Sequence, residues 1–109
     1  MPHELYTFRA QVIRALAHPI RLQIIDLLSP DEERCVCELV EALGCDQPTV
    51  SKHLGVLKSA GLVTARKEGT KTFYRIRTPC VKEFLGCIDR VLKEDLKARN
   101  KELAGIETL

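Results

Sequence analysis

The fold of this chain is decided by the stretch Gln47–Val63, which reads QPTVSKHLGVLKSAGLV. Its apolar side chains Val50, Leu54 and Leu57 recur at helical spacing and predict an amphipathic helix with small polar and basic groups outside. The helix stops before Gly61, and the segment LVTARKEGTKTFYRIR that follows predicts a two-stranded ribbon. A short helix with such an outer face and a basic hairpin behind it is typical of proteins that read a major groove.

A shorter helix before this stretch completes a helix-turn-helix pattern. The segment CVCELVEALG predicts a third helix along the chain, with Gly44 as its C-terminal cap and Asp46 as the N-terminal cap of the next helix. We therefore place a helix-turn-helix over residues 36–61 and a basic wing over residues 62–77.

Further amphipathic helices flank this unit. Residues 4–17 carry one apolar stripe, and Pro19 opens a helix that is apolar almost all round, which predicts the buried centre. Residues 79–103 form a long last helix whose single stripe is expected to pair with a second copy, so 4–17 and 79–103 are predicted dimerisation helices. The predicted fold is mainly α with a β-hairpin wing, a winged helix-turn-helix of about five helices and two strands in one domain, residues 1–109.

Composition excludes several classes of protein. With 45% hydrophobic residues the 109-residue chain can bury a core. It has no signal-peptide pattern and no apolar run near the ~18 residues of a membrane span, so we expect a cytoplasmic protein without a membrane partner. Only 5% of residues are aromatic and none is Trp, which disfavours a base-stacking platform for single strands.

The charges are segregated along the chain. Residues 47–77 carry seven basic groups and one acid, whereas residues 31–46 carry six acids and one base. A basic segment of this kind is the electrostatic footprint of a phosphate-binding surface, although a solvated face is the alternative. We therefore expect double-stranded DNA as a partner. A winged helix that binds only protein is disfavoured by the dense basic wing.

The side chains expected to contact DNA lie on the first turns of the recognition helix and on the wing. Gln suits adenine, Lys suits guanine and Ser is permissive, so we expect base contacts from Gln47, Ser51 and Lys52. The predicted phosphate contacts from the helix are Thr49 and Lys58. The predicted wing contacts, to phosphate or the minor groove, are Arg66, Lys67 and Lys71; Arg75 and Arg77 are either further contacts or structural ion-pair partners. His53 is expected to pack or cap within the helix-turn-helix.

Five cysteines without a signal peptide indicate thiols rather than a disulfide framework. Cys35 and Cys37 stand at the predicted start of the third helix, and soft ions such as As(III), Sb(III), Cd(II) and Pb(II) prefer thiolate sulfur. Side chains at i and i+2 point about 200° apart on a helix but the same way on an extended segment. We therefore expect that the first turn of this helix must unwind before both sulfurs can bind one ion.

A third ligand is left open by the sequence. Cys45 lies about 12 Å beyond Cys37 along an intact helix, which is too far within one subunit. Cys80 and Cys87 lie on the last helix and could contribute only if that helix packs close. Hydroxide or a small-molecule thiol is another source, and each of these cysteines could instead be a small buried hydrophobe.

The thiols also allow two other functions. A redox or persulfide sensor would bridge two cysteines, and the short spacing of Cys35 and Cys37 favours pairing with Cys45, Cys80 or Cys87 instead. A thiol oxidoreductase would need C-x-x-C near a βαβ unit, which the sequence does not contain, so we expect no enzymatic activity.

Four segments together resemble the ArsR/SmtB family of winged-helix repressors: RALAHPIRLQIIDLL, CVCELVEALG, QPTVSKHLGVLKSAGLV and GTKTFYRI. The resemblance covers about residues 8–92 and implies a homodimeric repressor that leaves a palindromic operator when a toxic metal or metalloid binds. CVCEL resembles the metalloid-binding box of the arsenical-responsive branch. The implied inducer is As(III) or Sb(III) at Cys35 and Cys37, with Cd(II) or Pb(II) as the alternative.

The sequence departs from the family pattern at two places. The arsenical branch often has a third cysteine where this chain has Val40. The zinc-sensing branch binds through Asp and His on the last helix, and residues 79–103 contain no His. These departures favour a thiophilic inducer and disfavour zinc at a carboxylate and imidazole site.

Overall fold

A computed structural model describes residues 2–99 and contains five helices and a three-stranded antiparallel sheet within that range. The elements in chain order are α1 (His3–Leu16), α2 (Pro19–Leu27), β1 (Arg34–Cys35), α3 (Val36–Leu43), α4 (Gln47–Ser59), β2 (Val63–Glu68), β3 (Lys71–Ile76) and α5 (Cys80–Arg99). The winged helix-turn-helix prediction is confirmed, with one strand more than expected.

The chain divides into two compact units, residues 1–79 and 80–109. The first unit holds the helix-turn-helix and the wing, and the second holds α5. The predicted last helix, 79–103, extends past Arg99 into residues that lie outside the described range. The assignment of all 109 residues to one domain, and of the terminal helices to dimerisation, stays a prediction.

The helix ends of the first unit follow from their caps. Gly44 ends α3 with φ of 68°, a left-handed conformation that glycine adopts without a steric penalty. The side chain of Asp46 accepts a 2.9 Å hydrogen bond from the backbone N–H of Thr49 and so caps α4. Only Cys45 lies between these two caps, so the connection between α3 and α4 is very short.

The core of the first unit lies between α2, α3 and α4. Ile24 and Ile25 of α2, Leu39 of α3, and Leu54 and Leu57 of α4 are all fully buried. Burial of each such side chain contributes about 1.5–3 kcal/mol. This packing sets the angle at which α4 is presented, so the outer face of α4 is positioned by its buried face.

The sheet has the strand order β1-β3-β2. Strands β2 and β3 form the wing, in register from Val63 opposite Ile76 to Glu68 opposite Lys71. Strand β1 adds a third, two-residue strand in which Cys35 lies opposite Phe73. The sequence analysis assigned this segment to a loop and a helix start, because two residues carry no periodicity and their pairing partner is distant in the chain.

Two helices present apolar side chains to solvent. The large exposed residues of α1 are Tyr6, Phe8, Val12 and Ile13, and those of α5 are Phe84, Ile88, Val91 and Leu92. Within residues 2–99, no helix has both the length and the apolar character needed to cross a bilayer.

Candidate nucleic-acid interface and cysteine site

The first turns of α4 place the predicted base-reading side chains on the outer face. Gln47, Ser51 and Lys52 are exposed and Thr49 is half-buried. The backbone N–H of Thr49 donates a hydrogen bond to Asp46. The hydrogen bonds donated by Thr49 hold the pKa of Asp46 below its ordinary value. Asp46 therefore stays ionised and keeps the end of α4 capped over a wide pH range.

Two of the predicted phosphate contacts come together beside the wing. Lys58 of α4 and Lys67 of β2 line one cavity of about 380 Å³ with Ala65, Thr72 and Tyr74. Both ammonium groups belong to exposed residues. The structure thus brings one basic residue of the helix and one of the wing to the same cavity.

Arg66, a predicted DNA contact, is engaged within the protein. Its guanidinium donates hydrogen bonds to both carboxylate oxygens of Glu33 at 2.9–3.1 Å and lies 3.5 Å from the carboxylate of Glu68. It also lies 5.1 Å from the ring centroid of Phe73. The hydrogen bond from Arg66 lowers the pKa of Glu33. The sequence analysis considered such an ion pair only for Arg75 and Arg77, because the approach of Glu33 depends on the unpredicted strand β1.

The third wing contact predicted from sequence, Lys71, is exposed at the start of β3. It lies next to the turn formed by Gly69 and Thr70, where φ of Gly69 is 62°. Lys71 is therefore displayed at the wing tip.

Cys35 and Cys37 meet at the junction of β1 and α3, where the structure joins them in a disulfide with their Cα atoms 5.3 Å apart. Cys35 has extended angles, φ −71° and ψ 149°, and α3 begins only at Val36. The sulfurs therefore converge beside an intact α3 because Cys35 lies outside the helix. That the first turn unwinds when both sulfurs bind one ion stays a prediction. The expectation that either cysteine would pair elsewhere differs from the structure, in which Cys45, Cys80 and Cys87 are free thiols.

Cys35 is also the N-terminal cap of α3. Its sulfur accepts a hydrogen bond from the backbone N–H of Cys37 at 3.2 Å. Its own N–H donates to Glu38 Oε1 at 3.1 Å, which completes a capping box. Cys35 is buried and Cys37 is exposed, so a reagent from solvent reaches Cys37 first.

The two cysteines open onto a cavity of about 250 Å³ that we call the cysteine cavity. It is lined by Cys35, Val36 and Cys37, by Gln47 and Ser51 of α4, and by Thr70, Lys71, Thr72 and Tyr74 of the wing. Residues predicted separately to hold an inducer and to contact DNA are thus neighbours. The sequence did not reveal this, because it placed the cysteines only at the start of the third helix and gave no contact between that helix and the wing.

A third protein ligand is not placed beside the cysteine pair. Among residues 2–99, no group of three or more His, Cys, Asp or Glu side chains is arranged to hold a metal ion. Cys45 lies beyond the C-terminus of α3, about 12 Å along the helix from Cys37, with its thiol directed to the carbonyl of Leu43.

His53 packs within the helix-turn-helix, as predicted from the sequence. His53 of α4 is 8% exposed, its Nδ1 accepts a hydrogen bond from Arg21 Nε at 3.1 Å, and its ring lies 4.4 Å from that of His18. Arg21 also donates to the carbonyl of Ala15 at 3.3 Å. Burial first, and then the positive charge of His18 and Arg21, lower the pKa of His53. Neutral His53 is therefore one of the contacts that hold α4 against α2.

A family model described as "Bacterial regulatory protein, arsR family" matches residues 18–65 of this chain. The match covers α2, α3 and α4 and the first residues of the wing. The matched range contains Cys35, Cys37 and the residues of α4, and ends before Lys67 and Lys71 of the wing.

Individual relatives extend the similarity. The chain is 43% identical over 81% of its length to the uncharacterized HTH-type transcriptional regulator MJ1325 of Methanocaldococcus jannaschii and spans 99% of that protein. It is 39% identical over 80% of its length to the arsenical resistance operon repressor of Staphylococcus xylosus, of which it spans 79%. It is 44% identical over 69% of its length to the HTH-type transcriptional repressor SmtB of Mycobacterium tuberculosis, but spans only 55% of that protein.

A solved structure shows the same fold. The winged helix-turn-helix DNA-binding domain Mb0332 of Mycobacterium bovis, described as homodimeric and as a possible ArsR-family transcriptional regulator, superposes with a TM-score of 0.73 at 42% identity. The similarity covers 85% of each chain.

Proposed function

This chain belongs to the arsR family of bacterial regulatory proteins, and we propose that it is a homodimeric repressor that releases palindromic operator DNA when a thiophilic ligand binds Cys35 and Cys37. Its relatives are transcriptional regulators rather than enzymes. The observation that carries the proposal is the cysteine cavity, which is lined by Cys35 and Cys37 together with Gln47, Ser51 and Lys71.

The proposed inducer is As(III) or Sb(III), with Cd(II) or Pb(II) as the alternative. All four ions prefer thiolate sulfur, and a buried and an exposed cysteine whose sulfurs converge form a suitable two-sulfur donor set. The name of the Staphylococcus xylosus relative supports the arsenical choice. We propose that hydroxide or a small-molecule thiol supplies the third ligand, because intact α3 keeps Cys45 away from Cys37.

The proposed DNA surface consists of the first turns of α4 and the wing. Base contacts are assigned to Gln47, Ser51 and Lys52, which are exposed near the N-terminus of a helix. Backbone contacts are assigned to Lys58, Lys67 and Lys71, which extend the basic surface to the wing tip, together with Thr49. Arg66 belongs to this surface only when its ion pair with Glu33 opens.

The exposed apolar residues of α1 form one proposed dimerisation surface, and those of α5 form another. Exposed apolar patches of this kind mark interaction sites. The second copy is the proposed occupant, because the Mb0332 domain of 42% identity is described as homodimeric. Two copies would present two α4 helices to successive half-sites about one turn of DNA apart, which suits a palindromic operator.

A second candidate function is supported by the disulfide between Cys35 and Cys37. In this alternative a peroxide oxidises the two thiols, the S–S bond forms, the O–O bond breaks, and two water molecules or alcohol and water leave with the two protons. An oxidant would then release the operator at the same residues without any metal. The two inducers are distinguished by which reagent acts on the reduced protein.

The deciding experiment is a fluorescence anisotropy titration of an operator duplex selected by the reduced protein from a random pool. Arsenite, antimonite, Cd(II), Pb(II), Zn(II) and hydrogen peroxide are added separately to wild type, to Cys35→Ser/Cys37→Ser and to Cys45→Ser. We expect arsenite to release the operator duplex from wild type and from Cys45→Ser. The double variant should stay bound to the duplex in arsenite.

The other outcomes discriminate among the alternatives. Release by peroxide alone would establish the redox reading, and release by Cd(II) or Pb(II) but not arsenite would establish the alternative inducer. Release from the double variant equal to that from wild type would exclude Cys35 and Cys37 as the sensor. A protein that selects no sequence from the pool would exclude the operator-binding function itself.

A further inference from the structure

We infer that the cysteine cavity is a subsite for one phosphate group of the DNA backbone, so that a ligand on Cys37 and that phosphate exclude each other directly. The inference rests on the proposed function and specifies how the same site is regulated. Release of DNA then requires no movement relayed through α3, because ligand and phosphate occupy one space.

The lining of the cavity suits a phosphate group. Thr70, Thr72 and Tyr74 supply three hydroxyl groups and Lys71 supplies an ammonium group, all from wing residues that line the same space. None of the nine lining residues is Asp or Glu. A phosphate group, taken as four water-sized oxygens, needs roughly 120 Å³, which is less than the volume of about 250 Å³.

Acidic residues surround the cysteines in sequence, but the nearest ones are paired. Glu33 is bound by the guanidinium of Arg66 at 2.9 Å. Glu38 lies 3.6 Å from the guanidinium of Arg34 and also accepts the N–H of Cys35. Neither Glu33 nor Glu38 lines the cavity and each has a cationic partner, so these two carboxylates repel an anion there less than unpaired ones would.

The wall that carries the cysteines is fixed relative to the wing. Strand β1 pairs with β3 through Arg34 opposite Tyr74 and Cys35 opposite Phe73, so two lining residues of the wing flank the partner of Cys35. Cys37 follows on the first turn of α3 with its residue exposed to the cavity. An adduct on Cys37 therefore projects into the space between Ser51 and Lys71 without any element having to shift.

The test varies the charge of an adduct on Cys37 at nearly constant size. A full-length variant with Cys35, Cys45, Cys80 and Cys87 replaced by Ser is alkylated at Cys37 with iodoacetate or iodoacetamide, which add a carboxylate or a neutral amide. Serine at position 35 preserves the cap of α3. Binding is measured by anisotropy on a random-sequence duplex of about three helical turns, so that the identity of the operator plays no part.

The expected result is that the carboxymethyl protein binds about tenfold more weakly than the carbamidomethyl protein at low salt. This difference in affinity should become smaller at high salt, because salt screens the repulsion between the carboxylate of the adduct and the DNA phosphate. The matched control keeps only the exposed Cys80, where the two adducts are expected to differ by less than about twofold. Equal affinities of the two Cys37 adducts would overturn the inference and leave the proposed function standing, whereas no binding by the unmodified variant and wild type would overturn both.

A second measurement uses the wild-type protein and does not depend on the multiple variant. The rate of Cys37 alkylation by iodoacetamide is followed by mass spectrometry in reductant, with the duplex, with inorganic phosphate at equal ionic strength, or with neither. Protection of Cys37 by the duplex but not by inorganic phosphate is expected. Unprotected Cys37 in the complex would overturn the inference, whereas protection by the duplex supports it, with or without protection by inorganic phosphate.

Discussion

The carboxylate of Glu33 and the guanidinium of Arg66 form a paired set of hydrogen bonds that joins the segment before the cysteine pair to the wing. Arg66 lies in β2, and Glu33 lies directly before β1, the strand that pairs with β3. A residue predicted to bind DNA is therefore held by a carboxylate from the acidic segment. Glu33 can compete with phosphate for the same guanidinium.

Replacing Glu33 by Gln is expected to raise the affinity for duplex DNA several-fold. The change weakens the hold on the guanidinium of Arg66, which keeps its contact with Glu68, and removes one negative charge beside the wing. Anisotropy on a random-sequence duplex measures the effect. The matched control is Glu32→Gln, which removes an equal charge from an exposed neighbour, and the gain should vanish in Glu33→Gln/Arg66→Ala. An equal gain in Glu32→Gln would show that charge alone, and not release of Arg66, is responsible.

Replacing Cys35 by Ala is expected to lower the free energy of unfolding of the reduced protein by about 1 kcal/mol, because the cap of α3 loses its acceptor. Replacing it by Ser should cost less, since a hydroxyl can accept the N–H of Cys37. Urea denaturation in reductant, followed by circular dichroism, distinguishes the two variants. Equal stability of Cys35→Ala and Cys35→Ser would contradict the capping role and would make Ala an equally suitable substitution for sensor experiments.

The lowered pKa of His53 predicts loss of stability in mild acid. The folded protein resists protonation of His53 because the ring is buried and because His18, Arg21 and Lys52 lie near it. As the pH falls through the ordinary value of 6.5, the unfolded chain takes up the proton first, so the free energy of unfolding decreases until the folded imidazole also protonates. Protonation of Nδ1 also removes the hydrogen bond from Arg21.

The measurement for this prediction is urea denaturation of wild type, His53→Gln and His3→Gln across this pH range. His53→Gln is expected to flatten the acid-side decline, because Gln accepts a hydrogen bond without titrating. The control His3→Gln replaces an exposed histidine at the start of α1 and should leave the decline in place. A decline that persists unchanged in His53→Gln would assign the acid sensitivity to other groups.

Substitution of two lysines on the proposed DNA surface is expected to affect DNA binding in two different ways. Lys52→Ala should weaken operator binding and reduce discrimination against mismatched sites, because it removes a predicted base contact. Lys67→Ala should weaken all sequences alike and reduce the slope of log affinity against log salt by about 1. Anisotropy with operator and mismatched duplexes at several salt concentrations measures both quantities. The assignment fails if the two variants change specificity and salt slope equally.

Ile88→Glu is expected to convert the dimer to a monomer and to weaken operator binding. Ile88 is an exposed apolar residue on α5, and a carboxylate there would lose its hydration in an apolar interface. Sedimentation velocity and operator anisotropy measure the two effects. The matched control is Lys97→Glu, which introduces the same side chain on the opposite side of the helix by its spacing. A variant Ile88→Glu that remains dimeric would remove α5 from the proposed interface.

The amino-acid sequence by itself determined the elements that depend on neighbours in the chain. Asp46 and Gly44 set the limits of α3 and α4, and the apolar spacing of Val50, Leu54 and Leu57 identified the buried face of the recognition helix. The turn at Gly69 separated the strands of the wing. These features were predictable because caps, turns and helical periodicity are local properties of the chain.

Only the tertiary structure decided how these elements share a site. The pairing of Cys35 with Phe73, the contact of Glu33 with Arg66, and the meeting of Cys37 with Lys71 join residues more than thirty positions apart. No local pattern records such contacts, because they depend on how the wing folds back over β1. The sequence therefore identified the cysteines and the DNA-facing residues separately, and the packing of the wing made them neighbours.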